Sequence, residues 1–212
     1  MTPTHSVKLV HITPNAEELI TYMARVSNPA NQSNTQTSAK LIKYLIDHKH
    51  WSPFEMVNMC VEIETTRSIA AQILRHRSFS FQEFSQRYAE VTEKGVMPEL
   101  RRQDTKNRQN SIDDLHPGLV GAMEIDIREH LQSSIELYNS LLEAGVAKEC
   151  AREVLPLCTP TRLYMNGTIR SWIHYCQLRC GNGTQKEHQM IARGAWKLLE
   201  EHLPNVCVSL DV

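Results

Sequence analysis

Residues 52–77 read SPFEMVNMCVEIETTRSIAAQILRHR, and the hydrophobic period changes within them. Ser52-Pro53-Phe54-Glu55 has the form of a capping box with proline at the first helical position. Directly after it, Val57, Met59, Val61 and Ile63 alternate with Asn58, Cys60, Glu62 and Glu64, the pattern of a half-buried strand. Any helical turn at 52–55 is therefore brief. From Arg67 the period lengthens, and Ile69, Ala70, Ile73 and Leu74 form the apolar face of a helix over 67–77. Strand and helix so close together predict a domain of the α/β (α+β) class.

Upstream, 7–13 reads as a short strand. Asn15 to Ser27 reads as a helix with Leu19, Tyr22, Met23 and Val26 on one face. A polar, turn-rich stretch over 28–37 leads to a helix over 38–49 carrying Leu41, Ile42, Leu45 and Ile46. Downstream, 78–110 is polar and irregular, with charges crowded at 101–108. Pro117 opens a long amphipathic helix with Leu119, Met123, Ile127, Leu131, Ile135, Tyr138 and Leu142, and Gly145 is its expected C-cap. A helix over 146–154, a strand over 161–168 and a helix over 169–180 follow, the last broken at Gly181-Asn182-Gly183. A final helix starts at Thr184, capped by Thr184 and Glu187, and ends before Pro204. The expected architecture is a single domain over 1–212: a small sheet packed against several helices, plus a helical part.

A chain of 212 residues can bury a full core without staples. Its 41% hydrophobic and 22% charged residues exclude disordered and fibrous classes. Net charge is −1, so no global positive field would draw it to nucleic acid or an anionic membrane. Neither is an expected partner. Apolar runs fall far short of the roughly 18 residues of a membrane span. The six cysteines include no Cys-x-x-Cys pair, and no charged n-region precedes an apolar h-region, so a reduced, cytoplasmic setting is expected. Arginine outnumbers lysine 14 to 9, which favours planar, bidentate recognition of phosphate and carboxylate.

The arginines concentrate in Arg75-His76-Arg77-Ser78-Phe79-Ser80-Phe81-Gln82-Glu83-Phe84-Ser85-Gln86-Arg87. On physical grounds this is an anion site. Arg75 and Arg77 leave a helix C-terminus, and Ser85, the Gln86 amide and Arg87 return from a loop toward the same oxygens. Glu83 would accept from a sugar hydroxyl or hold an arginine in place. Two other readings stand beside this one: a solvated basic loop tacked down by Phe79, Phe81 and Phe84, or a non-catalytic nucleotide- or RNA-binding module that stacks bases on them.

The spacing Arg-His-Arg, seven residues, Ser, one residue, Arg resembles the signature of the flavin-dependent thymidylate synthases. His50-Trp51-Ser52-Pro53-Phe54-Glu55, Ala151-Arg152-Glu153-Val154-Leu155-Pro156, and Arg170-Ser171-Trp172-Ile173-His174 with Leu178-Arg179 resemble further elements of that family, in order, over about residues 10–200. The resemblance implies reductive methylation of dUMP to dTMP, with methylenetetrahydrofolate as one-carbon donor, FAD as hydride carrier and NADPH as reductant. It implies dUMP binding by Gln72, Arg75, Glu83, Phe84, Ser85, Gln86, Arg87, Arg152 and Arg179. Arg179 would be the catalytic group, lying against the uracil ring. It implies FAD contacts from Ser52, Arg75, His76, Arg77, Glu83, Arg170 and His174, and from Thr168 where many relatives carry asparagine. His50 would border the folate site. A homotetramer with shared active sites is implied as well.

Other chemistries are weaker. Gly181-Asn182-Gly183 is a helix stop, not a phosphate loop. His174, Cys176 and Cys180 match no common zinc spacing, so no metal is expected, and helical spacing with Trp172 and Ile173 assigns the two cysteines to the core. Cys158 reads as a small buried hydrophobe, not a nucleophile.

Overall fold

The computed structural model describes residues 5–210 and 212. Its framework is an antiparallel sheet in the order β1 (Ser6–Ile12), β2 (Asn58–Thr66), β6 (Pro160–Thr168), β3 (Ser80–Glu83). β2 and β6 pair without interruption from Asn58↔Thr168 to Thr66↔Pro160. Because side chains alternate across a strand, this register puts Met59, Val61 and Ile63 on one face with Leu163 and Met165, all fully buried. Against that face pack α3 (Arg67–Ile73), α6 (Ile169–Arg179) and α7 (Lys186–His202), through Ile69, Ile73, Trp172, Ile173, Ile191 and Ala195. The other face is polar. Arg162 donates to Glu64 at 2.6 Å and the Tyr164 hydroxyl to Glu62 at 2.8 Å, as cross-strand pairs.

α1 (Ala16–Ala24), α2 (Ser38–Asp47) and α8 (Pro204–Cys207) extend this core. α4 (Pro117–Glu143) and the single turn of α5 (Lys148–Ala151) form a second, smaller cluster with Val91, Ile135, Tyr138 and Ala151. The Tyr138 hydroxyl accepts from the Val91 amide at 3.1 Å.

Several expectations need correction. The stretch 78–110 is not irregular throughout: it supplies β3 and a small hairpin, β4 (Arg102–Gln103) with β5 (Ser111–Ile112). β3 pairs only with β6, so its outward Ser80 and Gln82 leave no apolar trace in the sequence. α1 buries Ala16, Ile20 and Thr21, while Tyr22 and Val26 lie exposed. The buried Arg25 closes it, donating to Thr37 Oγ1 at 2.9 Å and to the Asn34 carbonyl. In α4 the apolar stripe is buried only from Leu131 onward, and Leu119 and Met123 face outward. The helix expected over 146–154 is α5 followed by a 3-10 turn over Arg152–Val154. Ser52–Glu55 is a lone 3-10 turn with no side-chain cap. α7 starts after Gln185, while Thr184 turns to the Leu178 carbonyl and Glu187 pairs with Arg101 at 2.7 Å. Gly145, at φ +82°, follows α4 as expected.

Gly167 in β6 determines what can follow β3's entry. A Cβ there would sit 2.4 Å from Cδ1 of Phe79, whose ring occupies that space. Gly167→Ala therefore forces the ring aside. It should destabilise the protein by about 1–3 kcal/mol, the ordinary cost of overpacking, read as a lower denaturant midpoint at unchanged slope.

Candidate functional site

α3 ends at Ile73, and the chain leaves it through two tight turns, with the His76 amide bonded to the Ile73 carbonyl at 3.0 Å and the Phe79 amide to the His76 carbonyl at 3.2 Å. Phe79 then drives inward over Gly167, its ring 4.8 Å from that of Trp172 in an edge-to-face contact. With that anchor set, Arg75 and Arg77 are left exposed and His76 is half-buried against Tyr175, ring centroids 4.9 Å apart.

Arg179, at the last turn of α6, donates from Nε to His76 Nε2 at 2.9 Å. A guanidinium can only donate, so Nε2 must hold a lone pair and any proton of the neutral ring sits on Nδ1. Burial, then the charges of Arg179, His174 and Arg75, lower the imidazole from its ordinary 6.5 to about 4. The contact is thus intact at neutral pH. With Nε engaged, both Nη groups of Arg179 keep their four protons for a ligand.

The start of α6 is tied to the same place. Thr168 caps it, accepting from the Ser171 amide at 3.2 Å. Ser171 in turn donates to the Ser78 carbonyl at 3.4 Å. Arg170 forms an ion pair with Glu55, which fastens the 52–55 turn, and with it the exposed Ser52, to α6. Ser52, Arg75, His76, Arg77, Thr168, Arg170, His174 and Arg179 therefore lie on α6 or on segments that these contacts tie to it, with Thr168 and Arg179 at its opposite ends. Gln72 belongs with them: its Nε2 donates to Gln185 Oε1 at 2.7 Å, and its Oε1 faces Nδ1 of the buried His188 at 3.2 Å.

The second half of the motif lies elsewhere, which corrects the expectation of one loop folding back on one anion. Residues 80–83 are strand, and at about 3.3 Å per residue they carry the chain on the order of 13 Å away from Arg77. Glu83 turns in, accepting from Arg67 at 2.6 Å and from Thr161 Oγ1 at 2.9 Å, at the opposite end of α3 from Arg75. It holds an arginine, but one outside the motif. Phe84 and Ser85 are exposed, and Arg87 pairs with Glu149 at 2.9 Å. Two donors on this side are buried without hydrogen-bond partners, Gln86 Nε2 and Arg152 Nε; the nearest carboxylate oxygen of Glu153 is 3.4 Å from the latter and misdirected. Buried donors without acceptors are rare in folded proteins, which sets these two apart on this side.

His50 is exposed, edge-on to Tyr44 at 6.0 Å, and Tyr44 stacks on His48 at 4.0 Å. Cys176 is buried in the core and burial raises the Cys158 thiol above its ordinary range. Among the described residues no three His, Cys, Asp or Glu side chains are grouped to hold a metal, and no helix is long and apolar enough to cross a membrane. Sequence reasoning missed Glu55 as an ion-pair partner, Tyr175, Gln185 and His188. The last two look like the polar face of an amphipathic helix, and nothing in spacing distinguishes them.

Comparison with known proteins gives a consistent result. The family model described as thymidylate synthase complementing protein matches residues 8–205. The chain is 51% identical to a probable flavin-dependent thymidylate synthase of Paramecium bursaria Chlorella virus 1, over 97% of this chain and 99% of that protein. It is 53% identical to the flavin-dependent thymidylate synthase of Synechocystis sp., over 92% of this chain and 89% of that one. It superposes with a TM-score of 0.87 and 25% identity on the crystal structure of a UMP/dUMP methylase from Streptomyces cacaoi bound with 5-Br dUMP, covering 97% of this chain and 93% of that chain.

The two lowered histidines set a pH dependence. His76 falls to about 4 and His188 to about 3, so between about pH 6.5 and 4 the unfolded chain binds protons that the folded one does not. The stability these two groups contribute is complete above about pH 6.5 and is lost as pH falls from there through about 4 for His76 and about 3 for His188. Thermal unfolding should occur at lower temperature at pH 5 than at pH 7, and an NMR titration of His76 should show no inflection above about pH 5.

Proposed function

The chain belongs to the thymidylate synthase complementing protein family of flavin-dependent thymidylate synthases, and from that premise we propose how its residues carry out the reaction. The protein methylates dUMP to dTMP and uses FAD. The one-carbon donor is 5,10-methylenetetrahydrofolate and the reductant NADPH, consistent with a site rich in cationic and aromatic side chains facing several anionic, flat-ringed ligands.

The observation that carries the residue assignment is the Arg179–His76 contact. A pyrimidine is a poor nucleophile until negative charge builds on its ring, and a guanidinium held in a fixed orientation stabilises that charge. His76 holds Arg179 by Nε, and only a neutral His76 can do so. The forked Nη groups are then aimed at the base. Gln72 and Arg75 bind dUMP from the same end. Ser85, Gln86, Arg87 and Arg152 grip its phosphate and sugar, the buried, unpartnered nitrogens of Gln86 and Arg152 among them, with Phe84 and Glu83 placing that segment.

The donor set also fits FAD. Ser52, Arg75, Arg77, Arg170 and His174 offer hydroxyl, guanidinium and imidazole donors suited to a diphosphate and its sugars. When bound, FAD supplies the hydride and redox chemistry. Thr168 acts through its cap on α6, orienting Arg170 and His174, and His50 borders the folate on the Tyr44–His48 platform.

Arg179→Ala should fold and retain FAD but lose at least about a hundredfold in dTMP formation, as for removal of a well-placed charge-stabilising donor. Arg179→Lys should recover little, since a point charge does not reproduce the planar fork. Activity near that of the unchanged enzyme in Arg179→Ala would refute the assignment.

Because β3 separates Arg75 and Arg179 from Ser85 and Arg87, each complete site draws its two halves from different copies of a homotetramer. Arg179→Ala and Arg87→Ala, each inactive alone, should regain dTMP formation when co-expressed, and light scattering should report four copies. No regain in mixed assemblies, or a monomer with bound FAD, would overturn the shared site.

A further inference from the structure

His188, in the first turn of α7, is completely buried, although neither a metal nor an ion pair accounts for it. A buried imidazole is costly unless both nitrogens find partners. Here both do: Nδ1 lies 3.2 Å from Gln72 Oε1, and Nε2 lies 3.1 Å from the Tyr175 hydroxyl. The Gln72 amide turns its oxygen to His188 and donates its nitrogen to Gln185 Oε1 at 2.7 Å. A carbonyl oxygen only accepts, so His188 Nδ1 carries the proton, Nε2 carries the lone pair, and Tyr175 donates to it. The order of donation is one-way: Tyr175 to His188, His188 to Gln72, Gln72 to Gln185.

That order has a use. A glutamine amide can exchange oxygen for nitrogen by turning over about its last bond, and its two faces present opposite chemistry to a pyrimidine. Packing cannot choose between them, because the two orientations have nearly the same shape. A fixed donor can. Burial and the nearby charge of Arg179 lower the His188 imidazole to about 3, so the ring does not acquire a second proton at neutral pH. Tyr175, which holds the ring from the other side, also packs edge-on against His76 at 4.9 Å.

We infer that His188 is a positioning residue of the dUMP site: through Nδ1–H it fixes the sense of the Gln72 amide, and through Nε2 it is itself held by Tyr175. This rests on the reading of Gln72 as a dUMP-binding group.

The two nitrogens can be separated by substitution in the FAD-loaded enzyme. The amide of His188→Asn reaches where Nδ1 sits and can still donate to Gln72. That of His188→Gln reaches where Nε2 sits and cannot. His188→Gln should raise KM for dUMP about tenfold with kcat within about threefold, and His188→Asn should keep both within about threefold of the unchanged enzyme. Gln72→Ala, as control, should raise KM at least as far as His188→Gln. If Gln72→Ala raises KM while His188→Gln does not, or while His188→Asn and His188→Gln are equally impaired, the positioning role is wrong and the assignment of Gln72 survives. If Gln72→Ala leaves KM unchanged, the assignment of Gln72 fails and the positioning role with it. A measurement without substitution guards against variants that do not fold: 15N shifts of the intact enzyme should show His188 protonated at Nδ1 and bare at Nε2. The opposite tautomer would overturn the inference.

Discussion

Arg179 cannot give up its Nε proton, and the group it meets in the fold is an imidazole nitrogen 2.9 Å away. The surroundings of the site serve to keep that nitrogen bare. Phe79 over Gly167 holds the turn that carries His76 inward. Tyr175 covers one side of the ring, and the cap at Thr168 sets the helix from which both Tyr175 and Arg179 project. Arg75, Arg179 and His174 then oppose a second proton electrostatically. An acidic residue in place of His76 would pair with Arg179 more strongly, yet it would cancel the guanidinium's charge. A neutral acceptor orients the guanidinium and leaves its charge available.

The net charge of −1 conceals this concentration of cations. Elsewhere some of the exposed charge is paired locally: Arg102 with Asp114 at 2.7 Å, Lys43 with Asp47 at 3.0 Å, Arg162 with Glu64. Such exposed pairs contribute little to stability, because water and salt screen them. With net charge near zero there is no long-range positive field, and the cations matter only where they cluster.

The parts of the fold that were legible in the sequence are those in which one face is buried and the other is not. The alternation of Val57 to Ile63 identified β2, and helical spacing identified α2, α3 and the length of α4, although the helix expected over 67–77 ends at Ile73 and Leu74 to Arg77 form turns. β3 was not legible, because an edge strand of four residues with Ser80 and Gln82 outward carries no apolar rhythm. α1 was misread for the converse reason: Tyr22 and Val26 have helical spacing but lie outside the core, and Ala16 and Ile20 are inside it. Within the site, the spacing of the Arg-His-Arg element, and for Arg179 the family resemblance, single out candidates because short motifs keep their meaning locally. It could not show that Glu83 belongs to Arg67, or that His188, 116 residues away, meets Gln72, because those partners are set by packing between distant elements.

The sheet order also bears on how the chain acquires its fold during synthesis. β2 and β6 are adjacent, yet Thr66 and Pro160 are 94 residues apart in sequence. At roughly 5–20 residues per second, a ribosome needs about 5–20 s to deliver β6 after β2 has emerged. Through that interval β2 has only β1 beside it, and its far edge and the apolar side chains of Met59, Val61 and Ile63 stay uncovered. α3 emerges at once, but α6 and α7, which complete the cover, arrive last. Over that period the nascent chain carries apolar surface of the kind that aggregates, and the elements between β3 and β6 set how long the exposure lasts.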